Sequence, residues 1–235
     1  IAALMGASGT GKTALACGLT YQYARSGIPV FFWSLEQPEK QIWARIQACH
    51  SGIDSKLLGR KRKELTREQI DRLYCDLDVS MALPVYLHSQ KESFYNHLNL
   101  AEQKFRNLGH GPTAVLIVDY LQLLAGSEPT EIDTWAIRLK ELSLAKNLLT
   151  IALVQPEELS KRKDKRPTIG DISYCKTAKQ HFDIILGLHR EAYWNPTYPH
   201  SNEIEIRTLK HRHLPFPQEC KILGFFEFCR FASMQ

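Results

Sequence analysis

The chain has 235 residues, of which 44% are hydrophobic and 23% charged; this suffices for one large α/β domain with a buried sheet and an ordinary charged surface. Thirty Lys and Arg against 25 Asp and Glu give a net charge of +5, which is compatible with nucleic acid without requiring it. The longest apolar runs are strand-sized, far short of a membrane span. The six cysteines are scattered, with no CxxC pair or zinc-like Cys/His spacing, and read as free thiols in a reducing, cytoplasmic type of compartment.

In chain order, residues 1–5 (IAALM) read as the tail of a buried strand running straight into glycines, with no basic leader segment. A domain does not begin sensibly inside a strand, so the expectation is a piece of a longer protein. A helix is expected over 13–26, ended near Gly27. PVFFWS at 29–34 is an uninterrupted apolar run, the mark of a strand covered on both faces. Residues 39–50 place Ile42, Ile46 and Cys49 on one helical face. One or two short charged helices over 54–80 carry Arg60-Lys-Arg-Lys63. Then come a short strand at 83–87, a helix at 94–108 stopped by Gly109, and AVLIVDY at 114–120, the most apolar strand. A helix at 132–147 and a buried strand at 148–155 follow. The basic connection Ser160-Lys-Arg-Lys-Asp-Lys-Arg166 leads to strand candidates at 182–189, 203–212 and 220–231, the last two alternating as an antiparallel edge does. Alternating strand and helix calls for a parallel α/β sheet, here spanning 1–235 as one domain.

Gly6-Ala-Ser-Gly-Thr-Gly11-Lys12-Thr13 matches G-x-x-x-x-G-K-[ST] in full, after an apolar strand and before a helix. Gly9 and Gly11 let backbone N–H groups, Ala14 included, converge on phosphate oxygens at a helix N-terminus. Lys12 supplies a mobile charge for the β- and γ-phosphates, and the Thr13 hydroxyl is a ligand for Mg²⁺. ATP and Mg²⁺ are therefore the expected substrate and metal. Asp119 ends the strand at 114–118, at the crevice where parallel sheets bind ligands, and reads as the second holder of the metal, through water. Tyr120 stands where a neighbouring base would often be, so another acid is required. Glu36, just past the strand at 29–34, is the candidate; it reads alternatively as an N-cap-region acid of the helix starting near Pro38. Gln155 ends the next strand, either as a γ-phosphate sensor or as a polar loop residue without a role.

Taken together, these segments resemble the C-terminal motor domain of DnaB-type replicative DNA helicases. The resemblance rests on Ser34-Leu-Glu-Gln-Pro38 with Gln41, Arg45 and Ser51-Gly-Ile-Asp54. It rests also on Val118-Asp-Tyr-Leu-Gln-Leu123, on Ala152-Leu-Val-Gln155, and on Lys165-Arg-Pro167 with Asp171. It covers essentially the whole chain and implies a RecA-like P-loop NTPase: a mostly parallel central sheet flanked by helices, with antiparallel strands at the C-terminal edge. It also implies Glu36 as the water-activating base, Arg45 as a nucleotide contact, and Lys210 and Arg212 as a basic pair reaching a neighbouring subunit's γ-phosphate. Residues two apart on a strand share a face, so both cations aim at one anion; a solvated basic strand face is the other reading.

The family's DNA-binding loop, Asp-Leu-Arg-Glu-Ser-Gly, becomes Asp171-Ile-Ser-Tyr-Cys-Lys176 here, leaving Ser173, Tyr174, Lys176 and nearby Lys179 as candidate DNA contacts. The implied partners are single-stranded DNA, further copies of the chain in a hexameric ring, and primase and a helicase loader through parts outside this chain. The implied polarity is toward the 3′ end. The runs at 60–63 and 161–166 read as backbone-tracking patches or as solvated loops. Tyr193, Trp194 and Tyr198 read as base-stacking groups or as packing on the sheet edge. The expected function is an ATP-driven helicase. A RecA-like ATPase that remodels protein or filaments without unwinding, and a slowly hydrolysing assembly module, are the alternatives.

Overall fold

The computed structural model describes residues 1–89, 99, 114–124, 130–157, 159–172, 177–215 and 218–234. Strands β1 (Ala2–Met5), β2 (Val30–Ser34), β3 (Val85–His88), β4 (Ala114–Asp119), β5 (Leu148–Val154) and β6 (Ile184–His189) run parallel; β7 (Glu203–His211), β8 (Glu219–Phe225) and β9 (Arg230–Ser233) continue the sheet antiparallel. The order across the sheet is β3-β2-β4-β5-β1-β6-β7-β8-β9. The central strands are apolar without alternation because both of their faces are covered. Val30 and Phe32 face one layer, while Phe31 and Trp33 face the other.

On the first face lie α1 (Lys12–Arg25) and α2 (Glu39–Ser51), whose Ala14, Leu15, Cys17, Ile42, Ile46 and Cys49 pack on Leu4, Val115, Ile117 and Leu153. On the opposite face α6 (Thr130–Lys146) seats Ile132, Ala136 and Leu139 against Leu116, Val118, Ala152 and Val154. The chain leaves α6 through Asn147 at φ 51°, a left-handed conformation that Asn tolerates better than most residues. Between α2 and β3 run α3 (Ser55–Gly59), a 3₁₀ turn at Arg62–Glu64, α4 (Arg67–Cys75) and α5 (Leu77–Met81). Local signals start two of them: Asp54 accepts from the Lys56 N–H, and Thr66 with Gln69 forms a capping box. Two short helices, α7 (Ala178–His181) and α8 (Glu191–Trp194), flank β6. Among the described residues no helix is long and apolar enough to cross a membrane.

One expectation needs revision. The helix expected at 94–108 lies, apart from Asn99, outside the described residues. The segment 220–231, read as one strand, is a hairpin: β8 and β9 are joined by a turn over 226–229. That turn contains no Gly, Pro, Asn or Asp, so no ordinary turn signal marked it. It forms because Cys229, at φ 48°, is fully buried and Phe226 packs inward.

Candidate functional site

Because β1, β2, β4 and β5 are parallel, their C-terminal ends lie on one edge of the sheet, and the residues that follow them meet there. A cavity of about 280 Å³ at that edge is lined by Gly9, Gly11, Lys12, Thr13, Ala14, Glu36, Arg45, Asp119, Tyr120 and Gln155, together with Arg190 and Phe226. Every expected nucleotide-site residue outside the Lys210/Arg212 pair is in this wall.

The loop from Gly6 to Gly11 takes the shape its glycines allow. Gly9 has φ 79° and Gly11 φ 104°, and Gly11 stands directly before α1. A Cβ at Gly9 would sit 2.6 Å from the Tyr193 ring, and one at Gly11 would sit 2.3 Å from the Phe226 ring. The Lys12 ammonium donates to the carbonyl oxygens of Gly6 (2.6 Å) and Ala7 (2.9 Å). Burial pulls its pKa down to about 8, against the opposing charges of Asp119 and Glu36.

Across the crevice the Thr13 hydroxyl donates to Asp119 Oδ2 at 2.8 Å. Asp119 is 1% exposed. Burial, with the Glu36 charge, pushes it up to about 6, while the Thr13 hydrogen bond and the Lys12 and Arg45 cations pull the other way. Hydroxyl and carboxylate oxygens side by side are the hard donors that Mg²⁺ accepts, so these residues fit the metal. Among the described residues no group of three or more His, Cys, Asp and Glu forms a metal cage, which leaves substrate and water to complete a shell.

The Leu35 N–H donates to the Asp119 carbonyl at 2.7 Å, tying the loop after β2 to the end of β4. Ser34 Oγ donates to the Gln37 carbonyl (2.6 Å), closing a turn that presents Glu36, exposed, to the cavity. The N-cap of α2 is Pro38, with no side-chain cap, so Glu36 does not serve as that helix's cap. Arg45 reaches the cavity from the second turn of α2.

Sequence reasoning missed Arg190 and Phe226. The Arg190 guanidinium lies 4.1 Å from the centre of the Phe226 ring, making a flat cationic and aromatic wall beside the phosphate loop. Neither residue belongs to a local motif, and the hairpin that delivers Phe226 was itself unseen. Tyr193 packs on Gly9, the Lys165 ammonium lies 5.6 Å from the Trp194 ring, and the Tyr198 hydroxyl donates to Glu203 (2.9 Å), which is the packing reading of these aromatics.

Lys210 and Arg212 stand elsewhere. Lys210 pairs with Ile185 and the Arg212 N–H donates to the Asp183 carbonyl, at the start of β6; β6 in turn aligns Ile184 with Ala2 at the start of β1. The phosphate loop follows the far end of β1, roughly 15 Å away along the strands. Lys210 donates to the carbonyls of Lys179 (2.8 Å) and Gln180 (3.3 Å), and Arg212 pairs with Asp183 at 2.8 Å. Lys179 is beside them. Ser173, Tyr174 and Lys176 lie outside the described residues. In the basic connection, Arg162 pairs with Asp171 (2.6 Å) and Arg166 with Glu205 (2.8 Å), so these two cations are spent within the fold.

Comparison with known proteins places this geometry. A family model described as the DnaB-like helicase C terminal domain matches residues 1–232. The chain is 26% identical over 213 residues to a replicative DNA helicase DnaB of Geobacillus stearothermophilus, covering 87% of the chain and 46% of that protein. With a replicative DNA helicase DnaB of Synechocystis the identity is 27% over 174 residues, covering 72% and 20%. The chain thus spans between a fifth and about half the length of these curated relatives. Two solved structures share its fold at TM-score 0.87 and 21% identity over the whole chain. One is an ATPase domain, matched over 84% of its length; the other is a DnaB-like replicative helicase studied with its interactions with primase, matched over 57%.

Proposed function

The chain belongs to the DnaB-like helicase C-terminal domain family, and on that premise we propose that it is the motor of an ATP-driven DNA helicase. In this reading it hydrolyses ATP at the subunit boundaries of a hexameric ring and moves on single-stranded DNA. The observation that carries the reading is the convergence of Lys12, Thr13, Glu36, Asp119 and Gln155 on one cavity at one sheet edge.

The backbone N–H groups of the Gly6–Thr13 loop and the start of α1 bind the phosphate chain, and Lys12 turns from the Gly6 and Ala7 carbonyls toward the β- and γ-oxygens. Thr13 and Asp119 would hold Mg²⁺, which when bound neutralises charge developing on the phosphates. Glu36, exposed at the mouth of the cavity, accepts the proton of the attacking water. Gln155 contacts the transferred phosphoryl group, Arg45 steadies the nucleotide, and Arg190 with Phe226 flanks the base. Lys210 and Arg212, on the opposite rim, complete a neighbour's site, where added charge stabilises the transition state and makes turnover depend on assembly. DNA contact falls to Ser173, Tyr174, Lys176 and Lys179. In this reading primase and a helicase loader are further partners, in a DNA-containing reducing compartment.

A second reading, an ATPase that remodels filaments without unwinding, is favoured by one observation: Ser173, Tyr174 and Lys176 replace the Arg, Glu and Gly of the family's DNA loop. ATPase assays with and without single-stranded DNA, beside forked-duplex unwinding, separate the two. The helicase reading expects DNA-stimulated turnover and unwinding, both abolished in Lys12→Ala. Turnover without stimulation or unwinding would establish the second reading.

A further inference from the structure

The ladder between β4 and β5 ends at the pair Val118 and Ala152. Beyond Asp119 the chain turns away through the 3₁₀ turn Leu121–Leu124, anchored by buried Leu121 and Leu124, while β5 continues to Val154. Successive residues of an extended strand offer their N–H and C=O groups to opposite neighbours. The Val154 carbonyl accepts from the Gly6 N–H on the β1 side. Gln155 therefore turns both of its main-chain groups toward β4, where no strand remains.

Gln122 occupies that place. Its Nε2 donates to the Gln155 carbonyl at 2.6 Å, and the Gln155 N–H donates to Gln122 Oε1 at 3.2 Å. One side-chain amide thus acts as the missing ladder partner. The opposite amide orientation would set donor against donor and acceptor against acceptor, so the bonding pattern fixes which atom is which. Pro156 reinforces the arrangement, because a residue before proline is biased to extended backbone.

We propose that Gln122 is a positioning residue for hydrolysis: its amide locks the main chain of Gln155 so that the Gln155 side chain faces the γ-phosphate in fixed relation to Asp119. The inference rests on the cavity being a site of ATP hydrolysis. Gln122 touches no reacting atom itself. It acts only through Gln155.

The test is steady-state ATPase of the full chain with single-stranded DNA, from about pH 4.5, where a glutamate takes up its proton, to about pH 8.5. Gln122→Met keeps the side-chain length and deletes both bonds. Its kcat is expected to fall about ten- to hundredfold with the KM for ATP held within about threefold, since small misplacements of a reacting group act on the chemical step. Gln122→Glu keeps an acceptor for the Gln155 N–H but, as a carboxylate, has no proton for the carbonyl. Once protonated it restores both bonds, so its kcat relative to wild type is expected to climb about fivefold or more toward acid pH, while the Met ratio stays flat. A packing role alone produces no such rescue. Wild-type-like turnover of Gln122→Met, a loss confined to KM, or a Glu ratio that tracks the Met ratio at every pH overturns the proposal. A wild-type chain without turnover overturns it together with the hydrolytic reading, which keeps the two failures distinguishable.

Discussion

At Asp119 the chain keeps a carboxylate where water hardly reaches, and this has a measurable consequence. Its pKa in the fold, about 6, lies above the ordinary 3.8, with burial the leading cause. The folded chain therefore takes up this proton more readily than the unfolded one. The stabilisation it brings is complete below the unfolded value and is lost as pH rises through about 6. At neutral pH the fold bears a desolvated charge that Asp119→Asn removes, while the amide still accepts from Thr13. We expect this variant to be the more stable near pH 8 by on the order of 1–2 kcal/mol, once the lost attraction to Lys12 is deducted. The gap closes below about pH 4, where wild-type Asp119 is protonated. Thermal melts across pH check it: a constant gap would mean that the Asp119 charge is not what separates the variants. Loss of Mg²⁺-dependent turnover at every pH is expected to accompany the gain if Asp119 holds the metal as proposed, the usual opposition between stability and a working site.

At the scale of elements, the β8–β9 hairpin links the first helix to the nucleotide wall. Gly18 on α1 allows the close approach, since a Cβ there would lie 2.7 Å from the Cys229 carbonyl oxygen. In an ordinary helix interior Gly→Ala gains up to about 1 kcal/mol. Here the neighbour is backbone, which yields poorly, so Gly18→Ala is expected to destabilise by about 1–2 kcal/mol net, as overpacking does. Urea denaturation reads it as a lower midpoint at unchanged slope; a raised midpoint would show that the hairpin gives way. The hairpin also carries Phe226 to Gly11 and Arg190. Phe226→Ala is expected to raise the KM for ATP about tenfold with kcat nearly kept, the pattern of lost ground-state binding. A fall in kcat at constant KM would instead assign Phe226 to the chemical step.

At the scale of the molecule, the sheet sets the Lys210/Arg212 pair and the phosphate loop at opposite ends. Lys210 and Arg212 stand at the start of β6 and the phosphate loop beyond the end of β1, so neither cation completes the site of its own chain. Lys12→Ala has a dead loop and an intact basic pair; Arg212→Ala has the reverse. Mixed in equal amounts in the proposed ring, they would form boundaries of which about a quarter combine an intact loop with an intact pair. Each variant alone is expected to be inactive, and ATPase of the mixture to rise toward that fraction of wild type. A mixture no more active than its separate components would show that the pair does not act between subunits.

How much of this was legible beforehand depends on the range of the interaction. Gly6 to Thr13, the apolar runs at 29–34 and 114–118, and the acids that follow them were readable because their chemistry lies in short contiguous stretches. Parallel strands then oblige their C-terminal ends to share an edge, so Lys12, Glu36, Asp119 and Gln155 were foreseen as neighbours. What required the tertiary structure were contacts between distant segments with no local signature. The turn over 226–229 has no turn-forming residue and is held by the burial of Cys229 and the partial burial of Phe226; Arg190, just after β6, meets Phe226 of the hairpin at the wall of the cavity. The grip of Gln122 on Gln155 depends on where one strand stops and its neighbour continues. The sequence by itself determined that this chain binds a nucleotide on a parallel sheet, because that site is built from local backbone conformation and strand order. Only the tertiary structure decided that Arg190 and Phe226 join the wall of the cavity and that Gln122 holds the main chain of Gln155, because those contacts are set by register and packing between elements far apart in the chain.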